Sequence, residues 1–276
     1  MRRRLDVEMV RRAMAATRSE AGLAIRSGKV TVGGRPAAKA GMLVGPDEPI
    51  TLAAPARRFV SRGGEKLEAA LDRFGVDVAG RVALDAGAST GGFTDCLLQR
   101  GAARVIAVDV GYGQLDWRLR EDPRVVVMER TNVRDLGPGD LAEPPDLVVA
   151  DLSFISLRLA IPALGRCAAP HADVVLLVKP QFEARRDEVG RGGVVADPEV
   201  WGRVLRSVAE ACVEAGFEVL AVAPSPLLGP AGNVEFLLHE RGDPGRPSEP
   251  GGVDDRMIRL AVAEAGQLLS RSRGDG

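Results

Sequence analysis

The sequence predicts an α/β protein, a doubly wound sheet domain preceded by a smaller α/β module, and three observations carry that expectation. From Ser61 to about His239, apolar runs of strand length alternate with segments of helical periodicity. The first 52 residues carry a separate pattern of two helical stripes and short strands. No apolar stretch approaches a membrane span, and the longest, Val174-Val175-Leu176-Leu177-Val178, has the length of a buried strand. A chain of 276 residues has room for one well-filled core and a small second one.

Within the front module, Leu5, Val7, Met9, Val10 and Met14 follow a helical stripe with Arg11 and Arg12 on its polar side. A second helix is expected over Ser19–Arg26, with Ser19 as N-cap and Gly28 just past its end. Lys29–Val32 alternates like a strand, Gly33-Gly34 suits a hairpin turn, and Pro49–Leu52 reads as a second short strand. In the larger domain strands are expected at Arg81–Asp85, Arg104–Asp109, Arg124–Met128, Asp146–Asp151, Asp173–Lys179, Glu218–Ala223 and Asn233–Leu238. Helical patterns lie at Gly64–Phe74, Gly92–Arg100, Ser156–Cys167 and Pro198–Ala215. The Gly/Pro-rich stretch Gly242–Gly252 reads as a mobile tail, followed by an amphipathic helix at about Asp254–Leu269. The expected domain limits are therefore 1–56, a linker at 57–60, a sheet domain at 61–241, and a tail with its helix at 242–276.

Composition points to a soluble globular protein, with 45% hydrophobic and 27% charged residues. The basic N-terminus has no apolar h-region behind it, so no secretory signal is expected. Cys96, Cys167 and Cys212 are scattered, and with only His171 and His239 beside them there is no metal-site spacing and no disulfide framework. A cytoplasmic location, no metal and no membrane partner are expected, with a monomer favoured. The net charge of −1 hides an asymmetry: residues 1–66 carry 14 Lys and Arg against 6 Asp and Glu, and the remainder 23 against 32. A basic front end on an acidic body fits a polyanionic partner, or equally a solvated face with none.

The first strand of the sheet domain ends in Leu84-Asp85-Ala86-Gly87-Ala88-Ser89-Thr90-Gly91-Gly92-Phe93. An acidic residue followed by small residues at a strand-to-helix turn lets a ligand approach the backbone closely. The spacing Asp85-x-Gly87-x-Ser89-x-Gly91 resembles the acidic-x-Gly-x-Gly-x-Gly turn of S-adenosylmethionine (SAM)-dependent methyltransferases, with serine at the middle position. Such a turn alone also serves purely structural ends. Support comes from Asp109, ending the next strand, where a carboxylate suits a ribose diol. Asp85, Asp109, Asp151 and Lys179 each close an apolar run, and in a parallel sheet those ends share the ligand-binding edge. Pro180 keeps Lys179 extended at the strand mouth. Glu235 lies among apolar neighbours, where a buried carboxylate needs a partner.

Lys66, Asp151, Lys179 and Glu235 together resemble the Lys-Asp-Lys-Glu tetrad of the FtsJ-like RNA 2′-O-methyltransferases. The front module resembles an S4 RNA-binding domain through Arg4-Leu5-Asp6, Thr17-Arg18-Ser19, the run Ile25–Gly34, Lys39 and the closing Pro46–Ile50, where Pro46 replaces the usual glycine. With Gly87–Phe93, the whole resembles the TlyA family, also called haemolysin A. That resemblance implies a Rossmann-like methyltransferase sheet behind an S4-type domain, SAM as cofactor, and cytidine 2′-O-methylation of 16S rRNA and, in longer forms, 23S rRNA. It implies ribosomal sensitivity to capreomycin and viomycin, and the basic Arg2–Arg12 stretch looks like the longer form. It places SAM on Asp85, Ala86, Gly87, Ser89, Thr90, Gly91, Gly92, Phe93, Asp109, Asn132 and Asp151, and RNA on Arg3, Arg4, Arg11, Arg18, Arg26, Lys29 and Arg62.

The resemblance makes Lys179 the base. A ribose hydroxyl must lose its proton to attack, and an ordinary lysine, with a pKa of about 10.4, is protonated at neutral pH. Lys66, a sulfonium and desolvation would favour the free amine, while Asp151 and Glu235 would oppose it. Three rivals remain: an RNA-binding protein with an inactive fold, a membrane-active haemolysin, and a base methyltransferase. The last lacks an evident Asn/Asp-Pro-Pro-Tyr or catalytic-cysteine motif.

Overall fold

A computed structural model describes residues 2–53, 58–242 and 254–274, side chains from 271 onward excepted. The chain divides into two units, Met1–Arg58 and Phe59–Gly276. Residues 54–57, which span the expected boundary between the first domain and the linker, lie outside the described residues, as do residues 243–253 of the expected tail.

The first unit contains β1 (Arg3–Arg4), α1 (Leu5–Arg11), α2 (Arg18–Arg26), β2 (Val30–Val32), β3 (Arg35–Pro36), β4 (Leu43–Val44) and β5 (Ile50–Leu52). Leu5, Met9, Ala21, Ile25, Val30, Val32 and Val44 form its core. β2 pairs antiparallel with β3 and β5, and β1 with β4. Gly33 and Gly34 turn β2 into β3 with φ of 56° and 77°, the left-handed backbone a two-residue hairpin needs. Two expectations are corrected. The N-cap of α2 is Thr17, whose hydroxyl accepts from the Glu20 N–H at 3.2 Å, and Ser19 lies inside the first turn. The stripe also overruns its helix: α1 ends at Arg11, Ala13 takes φ of 55°, and Met14 packs on the core from beyond it.

The second unit contains α3 (Arg62–Phe74), β6 (Val82–Ala86), α4 (Gly92–Gln99), β7 (Arg104–Val108), α5 (Trp117–Arg120), β8 (Val125–Met128), β9 (Leu147–Ala150), α6 (Leu157–Cys167), β10 (Ala172–Val178), α7 (Pro180–Glu183), α8 (Pro198–Glu214), β11 (Phe217–Pro224), β12 (Phe236–Gly242) and α9 (Asp255–Gly274). The sheet order is β11-β12-β10-β9-β6-β7-β8. Alternate residues serve opposite faces. Leu84, Ile106, Val148, Leu176 and Leu238 pack with α6, α8 and α9, while Ala83, Val105, Leu147, Val175 and Leu237 pack with α3 and α4. Burial on both faces is why these strands read as continuous apolar runs.

The pairs β8–β7, β7–β6, β6–β9 and β9–β10 are parallel, but β12 is antiparallel to both β10 and β11. Its N-terminal end therefore shares an edge with the C-terminal ends of the parallel strands. Glu235, expected inside a strand at Asn233–Leu238, instead immediately precedes β12. Lys179 follows Val178 and Glu235 precedes Phe236, the residues paired across β10 and β12. A strand without a crossover helix thus brings the last tetrad residue to the edge occupied by the others.

Candidate active site

A cleft of about 790 Å³ opens beyond the ends of β6, β7 and β9, with Gly87, Ser89, Asp109, Asn132, Asp151 and Ser153 among its walls. That volume is in the range of small-molecule sites. Gly87 has φ of 86°, and a Cβ there would lie 2.8 Å from the Asp151 carbonyl oxygen, so the turn admits no side chain. Ser89 replaces the middle glycine of the motif yet adopts φ of 49°, a left-handed conformation that serine takes at a cost. Its N–H donates to Asp109 Oδ2 at 2.8 Å, and the Gly111 N–H donates to Oδ1 at 2.7 Å. Asp109 thereby joins the two loops that wall the cleft.

Asp85 departs from its expected place. The strand runs on to Ala86, so Asp85 is inside β6 and fully buried, its side chain turned toward α4. Thr94 Oγ1 donates to its Oδ2 at 2.6 Å. Burial, with Asp151 and Asp109 adding repulsion, pushes its carboxyl up to about 7 despite the Thr94 bonds. It supports the turn from behind and does not line the cleft. Ala86, Gly91, Gly92 and Phe93 are likewise buried and Thr90 is exposed, and none of the five is among the residues that line the cleft.

Two lysine–carboxylate pairs stand at the same edge. Lys66, one turn into α3, donates to Glu235 Oε2 in a pair whose side chains are 8% and 1% exposed. Gly229 leaves the room Glu235 occupies, since a Cβ there would lie 2.5 Å from Oε1. Lys179 Nζ lies 2.6 Å from Asp151 Oδ1, as an ion pair rather than an aligned hydrogen bond. It donates to Ser153 Oγ at 2.8 Å and lies 5.8 Å from the centre of the Phe182 ring. Two oriented amines beside a cleft can fix a polar group and exchange a proton with it.

Sequence reasoning missed Ser153 and Phe154. Phe154 is 92% exposed at the cleft rim, takes φ of 64°, and its ring leans on Phe182 at 5.3 Å. A bulky residue in that backbone region, with its ring in solvent, marks a surface shaped for contact. An aromatic in the loop after Asp151 was the available signal, but nothing in the sequence separates it from a core phenylalanine.

Most of the arginines expected on RNA lie in the first unit and are held by two buried carboxylates. Asp6 accepts both Arg4 Nε and Nη2 at 3.0 Å and Arg18 Nη2 at 3.1 Å. Glu8 accepts Arg11 at 2.6 and 2.9 Å and Arg12 at 2.8 Å, with Arg3 3.7 Å away. Hydrogen bonds from Arg4 and then Arg18 hold the Asp6 carboxyl down at about 2, and those from Arg11 and Arg12 hold Glu8 at about 2. The guanidiniums of Arg4, Arg11 and Arg18 stay half or more exposed. Arg26 and Lys29 are exposed near the end of α2. Arg62 belongs to the second unit, where its Nη2 donates to the Leu228 carbonyl at 3.0 Å.

Among the described residues no group of three or more His, Cys, Asp or Glu could hold a metal ion, and no helix is long and apolar enough to cross a membrane. The FtsJ-like methyltransferase model matches residues 59–241, and the S4 domain model matches residues 3–50. The chain is 51% identical to a 16S/23S rRNA (cytidine-2′-O)-methyltransferase, TlyA, of Mycobacterium tuberculosis, over 95% of this chain and 98% of that one. It is 31% identical to the 23S rRNA (cytidine-2′-O)-methyltransferase TlyA of Campylobacter jejuni, over 66% and 70% of the two chains. A solved structure of a proposed hemolysin from Streptococcus thermophilus superposes with a TM-score of 0.75 at 38% identity, covering 99% and 98% of the chains. An S4 domain, an FtsJ-like domain and near full-length identity leave one reading: the chain belongs to the TlyA family of FtsJ-like methyltransferases.

Proposed function

We propose that this protein transfers a methyl group from SAM to the ribose 2′-hydroxyl of cytidines in ribosomal RNA, in the cytoplasm, on 16S and 23S rRNA alike. One observation carries the reading: the Lys66–Glu235 and Lys179–Asp151 pairs meet at one sheet edge beside a nucleoside-sized cleft. The choice of both rRNAs follows the Mycobacterium tuberculosis relative, whose name gives both. Capreomycin and viomycin sensitivity of the ribosome is part of the same proposal.

The residues fit SAM. Gly87 lets a ligand press on the backbone, and Asp109 retains lone pairs on both carboxylate oxygens for a ribose diol, with Asn132 across the cleft. When bound, SAM supplies a methyl group on a sulfonium, an electrophile that needs no activation. The work left to the protein is alignment and acceptance of one proton. Lys179 accepts the hydroxyl proton, Asp151 holds its amine, and Lys66, fixed by Glu235, supplies a donor for the reacting oxygen. Phe154 gives the target base a face to stack on, as RNA recognition commonly requires. Arg3, Arg4, Arg11, Arg18, Arg26, Lys29 and Arg62 contact phosphates, which position the substrate without reading its sequence.

Ribosomal subunits incubated with enzyme and SAM, then digested to nucleosides for mass spectrometry, test the proposal. The expected product is 2′-O-methylcytidine, absent with Lys179→Ala. A base-methylated cytidine would overturn it.

A further inference from the structure

We propose that Ser153 is a positioning residue that aims the Lys179 amine at the hydroxyl to be methylated. The inference rests on the reading of Lys179 as the proton acceptor and adds a residue that neither the tetrad nor the cofactor turn contains.

A free amine has two N–H donors and one lone pair at roughly tetrahedral angles, so each donor that is fixed restricts where the lone pair can point. Lys179 Nζ has two oxygen partners, Asp151 Oδ1 at 2.6 Å and Ser153 Oγ at 2.8 Å. The Lys179 side chain is 11% exposed, and Ser153 meets it from the exposed side. The hydrogen bond to Ser153 fixes one donor, and the Asp151 carboxylate holds Nζ beside it by charge, so together they restrict where the lone pair can point. Asp151 and Ser153 both wall the cleft, so they hold the amine at the cleft rather than in the core. Asp151 alone leaves the amine free to rotate about one contact. Ser153 adds a second acceptor without adding a second charge. During transfer the 2′-hydroxyl proton passes to Nζ, giving an ammonium with three donors, and then leaves to water.

Ser153 is exposed, but the chain on both sides of it is fixed, so its hydroxyl is held against the lysine. The 151–157 loop and the 179–183 segment are tied twice. At one end stand the Lys179 contacts to Asp151 and Ser153. At the other, Ser156 Oγ donates to Glu183 Oε2 at 2.5 Å and the Leu157 N–H donates to Glu183 Oε1 at 2.6 Å. Leu152, between Asp151 and Ser153 in the chain, is buried. Glu183 sits one turn beyond Lys179, so one short helix holds both the base and the staple that registers the serine against it.

Full-length Ser153→Ala, Ser153→Thr and Lys179→Ala are compared on ribosomal subunits for kcat, KM, SAM affinity and melting temperature. Losing one oriented hydrogen bond predicts a kcat about tenfold lower in Ser153→Ala, with KM and SAM affinity within about twofold of wild type. Ser153→Thr, which keeps the hydroxyl, recovers most of kcat, and Lys179→Ala falls further than Ser153→Ala. Wild-type kcat in Ser153→Ala alongside an inactive Lys179→Ala overturns the role of the serine and leaves the base intact. An active Lys179→Ala overturns the reading on which the inference stands. A Ser153→Ala loss that tracks lowered melting temperature or SAM affinity, or an equal loss in the threonine variant, assigns Ser153 to structure instead.

Discussion

Replacing Lys66 by methionine separates what the Lys66–Glu235 pair does for stability from what it does for chemistry. The change removes the ammonium from a site where the two side chains are 8% and 1% exposed. It leaves a Glu235 carboxylate whose Oε1 already lacks a hydrogen-bond partner among the described residues. Breaking a buried ion pair by removing one partner costs about 3–5 kcal/mol. For a domain of this size that lowers the melting temperature by roughly 6–20 °C. The double variant Lys66→Met/Glu235→Leu removes the stranded charge and returns to within about 1 kcal/mol of wild type, because apolar replacement of a buried pair is often neutral. Methyl transfer is lost in both variants. Urea unfolding at pH 7, with the single Glu235→Leu closing the cycle, measures the coupling. A double variant as unstable as the sum of its parts would refute the buried pair, and an active double variant would refute its place in catalysis.

Asp109→Ala should weaken SAM binding at least about tenfold by calorimetry, since two loops lose their shared anchor together with the expected ribose contact; unchanged affinity in a folded variant removes Asp109 from the site. The pH dependence of stability should carry the mark of Glu240, whose carboxyl is fully buried beside Cys212 Sγ at 3.1 Å and is pushed up to about 8 by burial. A raised carboxyl means the folded state keeps a proton that the unfolded chain releases, so its contribution is complete below about pH 4 and is lost as pH rises toward 8. Glu240→Gln should flatten that fall in urea midpoints between pH 5 and 8.5, and an unchanged slope contradicts the assignment. Arg4→Gln with Arg18→Gln should weaken RNA binding without changing SAM affinity, and should reduce the slope of log affinity against log salt by about 1 per lost phosphate contact; an unaltered slope would place the RNA elsewhere.

Much of the site was legible because parallel strands buried on both faces end abruptly in charge. Asp109, Asp151 and Lys179 each follow such a run, and the structure sets each just past its strand. Asp85 looked the same in sequence but lies one residue inside β6, where the side-chain alternation turns it to the core. The Lys66–Glu235 pair spans 169 residues and depends on the reversed direction of β12, which no local pattern announces. The two-residue strands β1, β3 and β4 are too short for periodicity to register. Thr17 and Ser19 are both good caps, and only backbone geometry chooses between them. Residue type alone cannot tell Phe154 from a core phenylalanine, because its exposure depends on where the folded loop places it.

The central claim is that the two lysine–carboxylate pairs act on a ribose hydroxyl, and a single atom tests it. Ribosomal RNA carrying 2′-deoxycytidine at the modified position, assembled into subunits and incubated with enzyme and labelled SAM, should bind comparably to the unmodified substrate and accept no methyl group. Methylation of the deoxy substrate at the level of the ribo substrate would place the mark on the base and contradict the account.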